Sequence, residues 1–245
     1  MFNFFKKSKL SEVRFDWLGT DIHSHLLPGL DDGSPDLEAS IQYFTALKGL
    51  GFNKFICTPH VFTELYPNNR ETITNALNKV KAAPELKDFN ISAAAEYMVD
   101  ADFNGVLEQG PLMNMPGNYV LIEMSYLAET PDIEQHVFNL KVMGYELILA
   151  HPERYNFYHG KLSKIERLKD MGCLLQLNLL STTGYYGKEV KNTALKILGN
   201  KWYSLAATDF HHAKHLQALQ DARLWQEVYQ QVSNYDFRNT ELFGS

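Results

Sequence analysis

Short runs of uninterrupted apolar residues alternate along the chain with longer stretches in which apolar residues recur at helical spacing. The short runs predict strands over Trp17–His23, Phe52–Thr58, Asn90–Ala95, Tyr119–Met124, Glu146–Ala150, Cys173–Asn178 and Tyr203–Thr208. Their continuous apolar character, as in Tyr119-Val-Leu-Ile-Glu123, suits parallel strands covered on both faces. The longer stretches predict helices over Asp36–Leu50, Arg70–Ala82, Ala101–Gln109, Ile133–Met143, Leu162–Met171, Glu189–Leu198 and Ala213–Gln231. Gly51, Gly144 and Gly172 stand where helix C-caps are expected. Alternating strands and helices imply a parallel sheet, and seven repeats favour a TIM-like barrel over an open sheet. No Ser/Pro/Gly-rich linker interrupts the pattern, so one α/β domain is expected over residues 17–245, after a flexible N-terminal leader at 1–16.

Composition narrows the classes open to such a domain. The 245 residues carry 23 Lys+Arg against 29 Asp+Glu, a formal net charge of -6, which argues against a nucleic-acid binder with a basic surface. No window approaches the roughly 18 consecutive apolar residues of a membrane span, so no stable membrane insertion is expected. The start of the chain lacks the apolar core of a secretory signal, and cytoplasm is the default compartment. The aromatic and basic start, Phe2–Lys7, is open to two readings: contact with the inner face of a membrane or a partner, or a fraying terminus. Cys57 and Cys173 lie in apolar runs and read as buried free thiols. Nine His against two Cys make any metal chemistry here imidazole and carboxylate chemistry.

The residues that follow the predicted strands change the picture most. In chain order they are Asp21-Ile-His-Ser-His25 with Gly29-Leu-Asp-Asp-Gly33, then Thr58-Pro-His60, Glu96, Glu123, His151-Pro-Glu-Arg154 and Asp209-Phe-His211. Only the sixth strand, ending near Asn178, adds no obvious ligand. In parallel barrels the site forms at the C-terminal strand ends, so six strand ends converge ligand-type side chains on one face.

Each piece has an ordinary explanation when taken singly. His23 and His25 point to the same side of an extended chain, but so does any H-x-H pair on a surface. Glu96 and Glu123 interrupt or end apolar runs, where a carboxylate needs a salt-bridge partner or a cation. His60 and His151 are each compatible with hydrogen-bonded core histidines. Convergence outweighs these explanations. The candidates His23, His25, Asp32, His60, Glu96, Glu123, His151, Asp209 and His211 number nine, too many for one ion, so two or three ions are implied. Ions clustered about 3.5–4 Å apart are common apparatus for attacking phosphate esters. Arg154, just past a proposed ligand, is a candidate clamp for the phosphate, with a surface salt bridge to a neighbour such as Glu153 as the alternative.

These segments, together with Ala150-His-Pro-Glu-Arg-Tyr155 and Thr208-Asp-Phe-His211, resemble the PHP (polymerase and histidinol phosphatase) superfamily. Within it, the His-Ser-His…Asp-Asp-Gly and Ala-His-x-Glu-Arg-Tyr contexts are similar to the bacterial capsular and exopolysaccharide tyrosine-protein phosphatases. The resemblance runs from about Trp17 to the C-terminal helix. It implies a distorted (β/α)7 barrel with three ions per chain, commonly Mn2+ or Fe, with Zn as a further option. It places one ion at His23, His25, Glu96 and Asp209, a second at Glu96, Glu123 and His151, and a third at Asp32, His60 and His211. Arg154 falls at the family's phosphate-binding arginine. The implied substrate is a phosphotyrosine protein, in this family a bacterial tyrosine autokinase that controls polysaccharide synthesis.

The chain departs from the pattern at one point. Relatives often carry a second Arg after the D-x-H motif, where this chain reads His211-His-Ala-Lys-His-Leu216. Either Lys214, His212 or His215 replaces it as a phosphate-side cation, or these residues open the next helix on its solvent face. Phe62, Tyr66 and Tyr155 are candidates to pack a phenyl ring, or are ordinary aromatics of the barrel mouth. A thiol mechanism is set aside, because six residues beyond Cys57 is Thr63 and beyond Cys173 is Leu179, not the Arg of Cys-x5-Arg. The expected nucleophile is metal hydroxide. Two other functions stay in view: a small-molecule phosphomonoesterase such as a histidinol phosphatase, and a catalytically silent metal-binding module. The silent module predicts missing ligands, and none of the nine is missing.

Overall fold

Residues 10–244 are described by the computed structural model. Among the described residues nine strands form in chain order: β1 (Thr20–Asp21), β2 (Lys54–Cys57), β3 (His60–Val61), β4 (Asn90–Ala93), β5 (Glu96–Met98), β6 (Tyr119–Glu123), β7 (Glu146–Leu149), β8 (Cys173–Asn178) and β9 (Tyr203–Ala207). All pairings are parallel, in a three-stranded sheet β1-β2-β4 and a six-stranded sheet β3-β5-β6-β7-β8-β9. The helices are α1 (Leu37–Gly49), α2 (Arg70–Ala82), α3 (Phe103–Glu108), α4 (Ile133–Val142), α5 (Leu162–Asp170), α6 (Lys188–Gly199), α7 (Ala213–Gln220), α8 (Ala222–Trp225), α9 (Tyr229–Ser233) and α10 (Asn239–Phe243). The expected α/β alternation is present, and the glycines at 51, 144 and 172 all adopt positive φ just beyond their helices.

Two of the predicted strands, Phe52–Thr58 and Asn90–Ala95, form as β2 and β4, and after a short gap the chain continues each as a further strand, β3 and β5, in the second sheet. Cys57 pairs with Ala93, and after the gap His60 pairs with Glu96, so the register is unchanged across it. Pro59 has no N–H to give to the ladder, but its carbonyl still accepts from the Glu96 N–H at 3.1 Å. The far edges also meet: the Asp209 N–H donates to the His23 carbonyl at 2.9 Å, and the His25 N–H to the Phe210 carbonyl at 2.8 Å.

The main apolar core lies between strands and helices. A smaller cluster takes Ile22, Ile56, Ala94, Leu121, Ile148 and Leu205 from the strand segments and is closed by Phe243 of α10. The Phe243 ring packs against Tyr119 at the start of β6, 5.4 Å between centroids. This terminal helix was absent from the sequence reading. Asn239 holds it, donating to the carbonyls of Thr20 and Ala206 and accepting from the Ala206 N–H. The single helix expected over Ala213–Gln231 is broken into α7, α8 and α9, because Asp221 leaves helical geometry (ψ 96°) and caps the Arg223 N–H.

The leader expected over 1–16 needs a correction where it is described. Val13 and Phe15 are buried in the main core, and the Phe15 N–H donates to the Leu50 carbonyl at 2.7 Å. A side chain at Gly51 would meet Asp16 atoms 2.6 Å away, so the segment is seated tightly on the end of α1. The Phe2–Lys7 stretch lies outside the described residues.

Candidate metal centre

The C-terminal strand ends bring all nine predicted ligands together. Glu96, at the first position of β5, lies at the centre: its Oε2 is 3.1 Å from His23 Nε2, 3.4 Å from His25 Nε2 and 3.1 Å from His60 Nδ1, and its Oε1 is 3.3 Å from His151 Nε2. Asp209 Oδ1 is 3.2 Å from His23 Nε2 and 3.5 Å from His25 Nε2. Glu123 Oε1, at the end of β6, lies 2.9 Å from His60 Nδ1. Asp32 stands at the exposed side, 3.6 Å from the Nε2 atoms of both His60 and His211. His60 therefore faces two groups, Glu96 with Glu123 and Asp32 with His211, where the sequence placed it with the second alone.

The cluster is presented by unusual backbone and close packing. His151 and Asp209 both have positive φ, 33° and 49°, a conformation that costs a non-glycine residue about 1–3 kcal/mol. The turn after His25 returns so closely that a side chain on Gly33 would stand 2.1 Å from the His25 carbonyl oxygen. That contact accounts for the glycine of Asp-Asp-Gly.

Polar neighbours fix the imidazoles. His23 Nδ1 is 2.7 Å from Gln176 Oε1, and His25 Nδ1 is 2.7 Å from Asp31 Oδ2. With those nitrogens donating, the Nε2 lone pairs face the cluster. Asp31 also accepts from the backbone N–H groups of His60 and Gly33. Asn178 donates to Asp209 Oδ2 at 2.9 Å. The sixth strand run thus supplies two polar supports for candidate ligands. Gln176 and Asn178 stand two apart in the otherwise apolar Cys173-Leu-Leu-Gln-Leu-Asn178, a polar alternation that could have revealed them. A register shift between Leu175 and Gln176 accompanies the inward turn. Asp31 was hidden by its twin: of the adjacent pair, Asp31 is buried at its side chain while Asp32 is 55% exposed.

Burial and charge work against each other here. Burial alone would raise the Glu96 carboxyl, but His23 and His60 hold it well below the usual carboxylate range. Burial and His25 would lower His60, yet Glu123 and Glu96 carry it up to about 10. His211 is pushed down to about 4 by burial and the nearby His25. Even so, both Glu96 oxygens, Glu123 Oε1 and both ring nitrogens of His151 are buried without a hydrogen bond. Orphaned buried acceptors of this kind cost several kcal/mol each, and a cation satisfies them. Four overlapping ligand groups share these residues: His25/Asp32/His60/His211, His23/His25/Asp209, His23/Glu96/His151 and His60/Glu96/Glu123. The donor set fits cations.

A cavity of about 680 Å³ opens over the cluster, lined by Asp32, His60, Glu123 and His211 and, on its walls, by Phe62, Tyr66, Tyr126, Arg154 and Tyr186. The Arg154 guanidinium lies over both the Tyr126 and Tyr186 rings, 4.6 and 4.3 Å from their centroids, and donates to Asp209 Oδ2. Its salt-bridge partner is therefore a cluster carboxylate. Glu153 turns inward instead, accepting from the Asn178 N–H and the Tyr203 hydroxyl. Tyr66 lines the cavity and stacks on His60 at 5.4 Å.

Three candidates stand differently from expectation. Tyr155 is buried, its hydroxyl donating to the Ala150 carbonyl, so it is not free to meet a ligand. Lys214 is exposed on the first turn of α7 and does not line the cavity. His215 lines it, but burial pushes its pKa down to about 3 and its Nδ1 accepts from the His211 N–H. It is a neutral acceptor there, not a replacement for an arginine. His212 is exposed and lines the cavity. Both cysteines are buried, and burial pushes each thiol up to about 12.

Fold and cluster define a parallel α/β protein with a histidine–carboxylate cluster fit to hold metal cations. The profile of the family described as capsular polysaccharide synthesis, CpsB/CapC, matches residues 19–228, and the chain belongs to that family. It is 27% identical over 197 residues to the tyrosine-protein phosphatase YwqE of Bacillus subtilis, covering 79% of this chain and 78% of YwqE. It is 28% identical over 201 residues to the tyrosine-protein phosphatase CpsB of Streptococcus pneumoniae, covering 78% of this chain and 82% of CpsB. A solved structure from work on YwqE and CpsB, described as metal-dependent tyrosine phosphatases, superposes with a TM-score of 0.78 at 25% identity, over 92% of this chain and 94% of that one.

Proposed function

We propose that this chain is a metal-dependent phosphatase that removes phosphate from tyrosines of a protein involved in capsule or exopolysaccharide synthesis. The observation that carries the reading is the group of buried, unbonded carboxylate and imidazole atoms at the floor of a cavity whose wall presents Arg154. Its relatives named tyrosine-protein phosphatases agree with it. The residues fit three ions, Mn2+ or Fe by resemblance: His23, His25, Glu96 and Asp209 for one, Glu96, Glu123 and His151 for the next, and Asp32, His60 and His211 for the last. When bound, clustered cations make water nucleophilic near neutral pH and offset phosphoryl charge.

The chain's own groups do the rest. Gln176 and Asp31 keep the Nε2 atoms of His23 and His25 aimed at the floor. Arg154, packed over two tyrosine rings, offers its fork to phosphate oxygens from the wall. Phe62 and Tyr66 give a phenyl ring an apolar wall. The buried thiols supply no nucleophile.

We further infer that the two sheets act as one distorted seven-stranded barrel, supported by the constant register across Pro59 and the hydrogen bonds from Asp209 and His25. Among the described residues no helix is long and apolar enough to cross a membrane. The reading places the enzyme in the cytoplasm with a bacterial tyrosine kinase as substrate, and contact with the inner membrane face stays an option.

Treatment with EDTA is expected to abolish turnover of a phosphotyrosine peptide, with restoration by Mn2+ add-back. Full turnover in the chelated protein would overturn the reading, and an elemental stoichiometry near one ion per chain would overturn the multi-ion centre.

A further inference from the structure

Leu127 is 94% exposed and Leu65 is 65% exposed, and both line the cavity over the cluster. Each comes from a loop whose backbone is held. Leu65 sits in a hairpin closed by Phe62 and Tyr66, whose N–H groups each donate to the other's carbonyl at 3.0 and 2.8 Å. The Leu127 N–H donates to Ser125 Oγ at 3.2 Å, and the loop ends where the Thr130 hydroxyl donates to the Val99 carbonyl. Single exposed leucines are ordinary on a protein surface. Two on separate pinned loops at one functional cavity form a contact surface with no core to serve.

We propose that Leu65 and Leu127 form an apolar clamp that reads the residues beside the phosphotyrosine. The occupant is an extended peptide segment of the substrate protein carrying a large apolar residue next to the modified tyrosine. The inference rests on the phosphotyrosine reading above. Apart from the exposed Asp32, the cluster carboxylates and imidazoles are buried or nearly so, whereas the two leucines are the most exposed apolar groups lining the same cavity. A phosphate at the floor and a ring against Phe62 and Tyr66 leave the peptide backbone and its flanking side chains at the level of the leucines. Covering an exposed leucine with an apolar side chain removes both from water, and a charged flank gains nothing there.

The test compares synthetic phosphotyrosine peptides of equal length, with Leu or with Ser on both sides of the tyrosine, and para-nitrophenyl phosphate as a substrate without flanks. The wild-type protein is expected to prefer the Leu-flanked peptide by roughly tenfold or more in kcat/KM. The double variant Leu65→Ser, Leu127→Ser is expected to lose that preference through KM, with kcat, para-nitrophenyl phosphate turnover and Tm unchanged. Equal kcat/KM for the two peptides in wild type, or an undiminished preference in the double variant, overturns the clamp alone. Absence of wild-type turnover on all three substrates overturns the phosphatase reading and the clamp with it. A concentration-dependent mass shift in wild type that the double variant abolishes would assign the surface to a second copy of this chain and also overturn the clamp.

Discussion

The floor and the rim of the cavity are built on opposite principles. The floor consists of strand ends whose backbone is set by the ladder and whose side chains are held by Gln176, Asp31 and Asn178. The rim consists of loops carrying Leu65 and Leu127, pinned at their ends but with these side chains turned to solvent. Rigidity at the floor sets what chemistry is possible, and freedom at the rim leaves room to choose a substrate without disturbing that chemistry.

Arg154 belongs to both regions, bonded to Asp209 and packed over the rings of Tyr126 and Tyr186, so it is where the contrast is most sharply tested. Arg154→Gln is expected to lower kcat/KM on a phosphotyrosine peptide by about 10²–10³, the range seen when one preorganised transition-state donor is lost. Metal content measured by elemental analysis is expected to stay at the wild-type level. Loss of the ions as well would mean that wall and floor are one unit. A smaller effect is expected from Asp31→Asn, which keeps the shape but removes the charge behind His25. Metal affinity, measured by competition with a chelator, is expected to fall roughly 10–100-fold. The smallest effect is expected from thiol reagents. Burial raises both cysteine pKa values to about 12, so below that pH the thiolate is scarce as well as inaccessible. Iodoacetamide at pH 8 is expected to leave native protein unlabelled by mass spectrometry and fully active.

The same division governs what the sequence reveals. Ligand-type residues at strand ends are legible because polar groups closing apolar runs stand out, as Glu123 does after Tyr119-Val-Leu-Ile. The split of the strands at Pro59 was foreseeable from its missing N–H, although the preserved register was not. Asp31 could not be told from Asp32, since the choice depends on which way a tight turn faces. Tyr126 and Tyr186 gave no signal, because their role exists only once two loops distant in sequence close on one guanidinium. The breaks after α7 and the terminal helix α10 escaped for a related reason: single polar anchors, Asp221 and Asn239, override a weak local pattern.

The left-handed backbone at His151 and Asp209 has a consequence for the history of such a chain. At these two positions the conformation favours glycine while the proposed metal centre calls for a donor side chain. Selection for a sturdier fold and selection for an active one therefore pull toward different residues at the same place. A lineage released from the need for catalysis would be expected to drift first at these sites, gaining stability as it lost its chemistry.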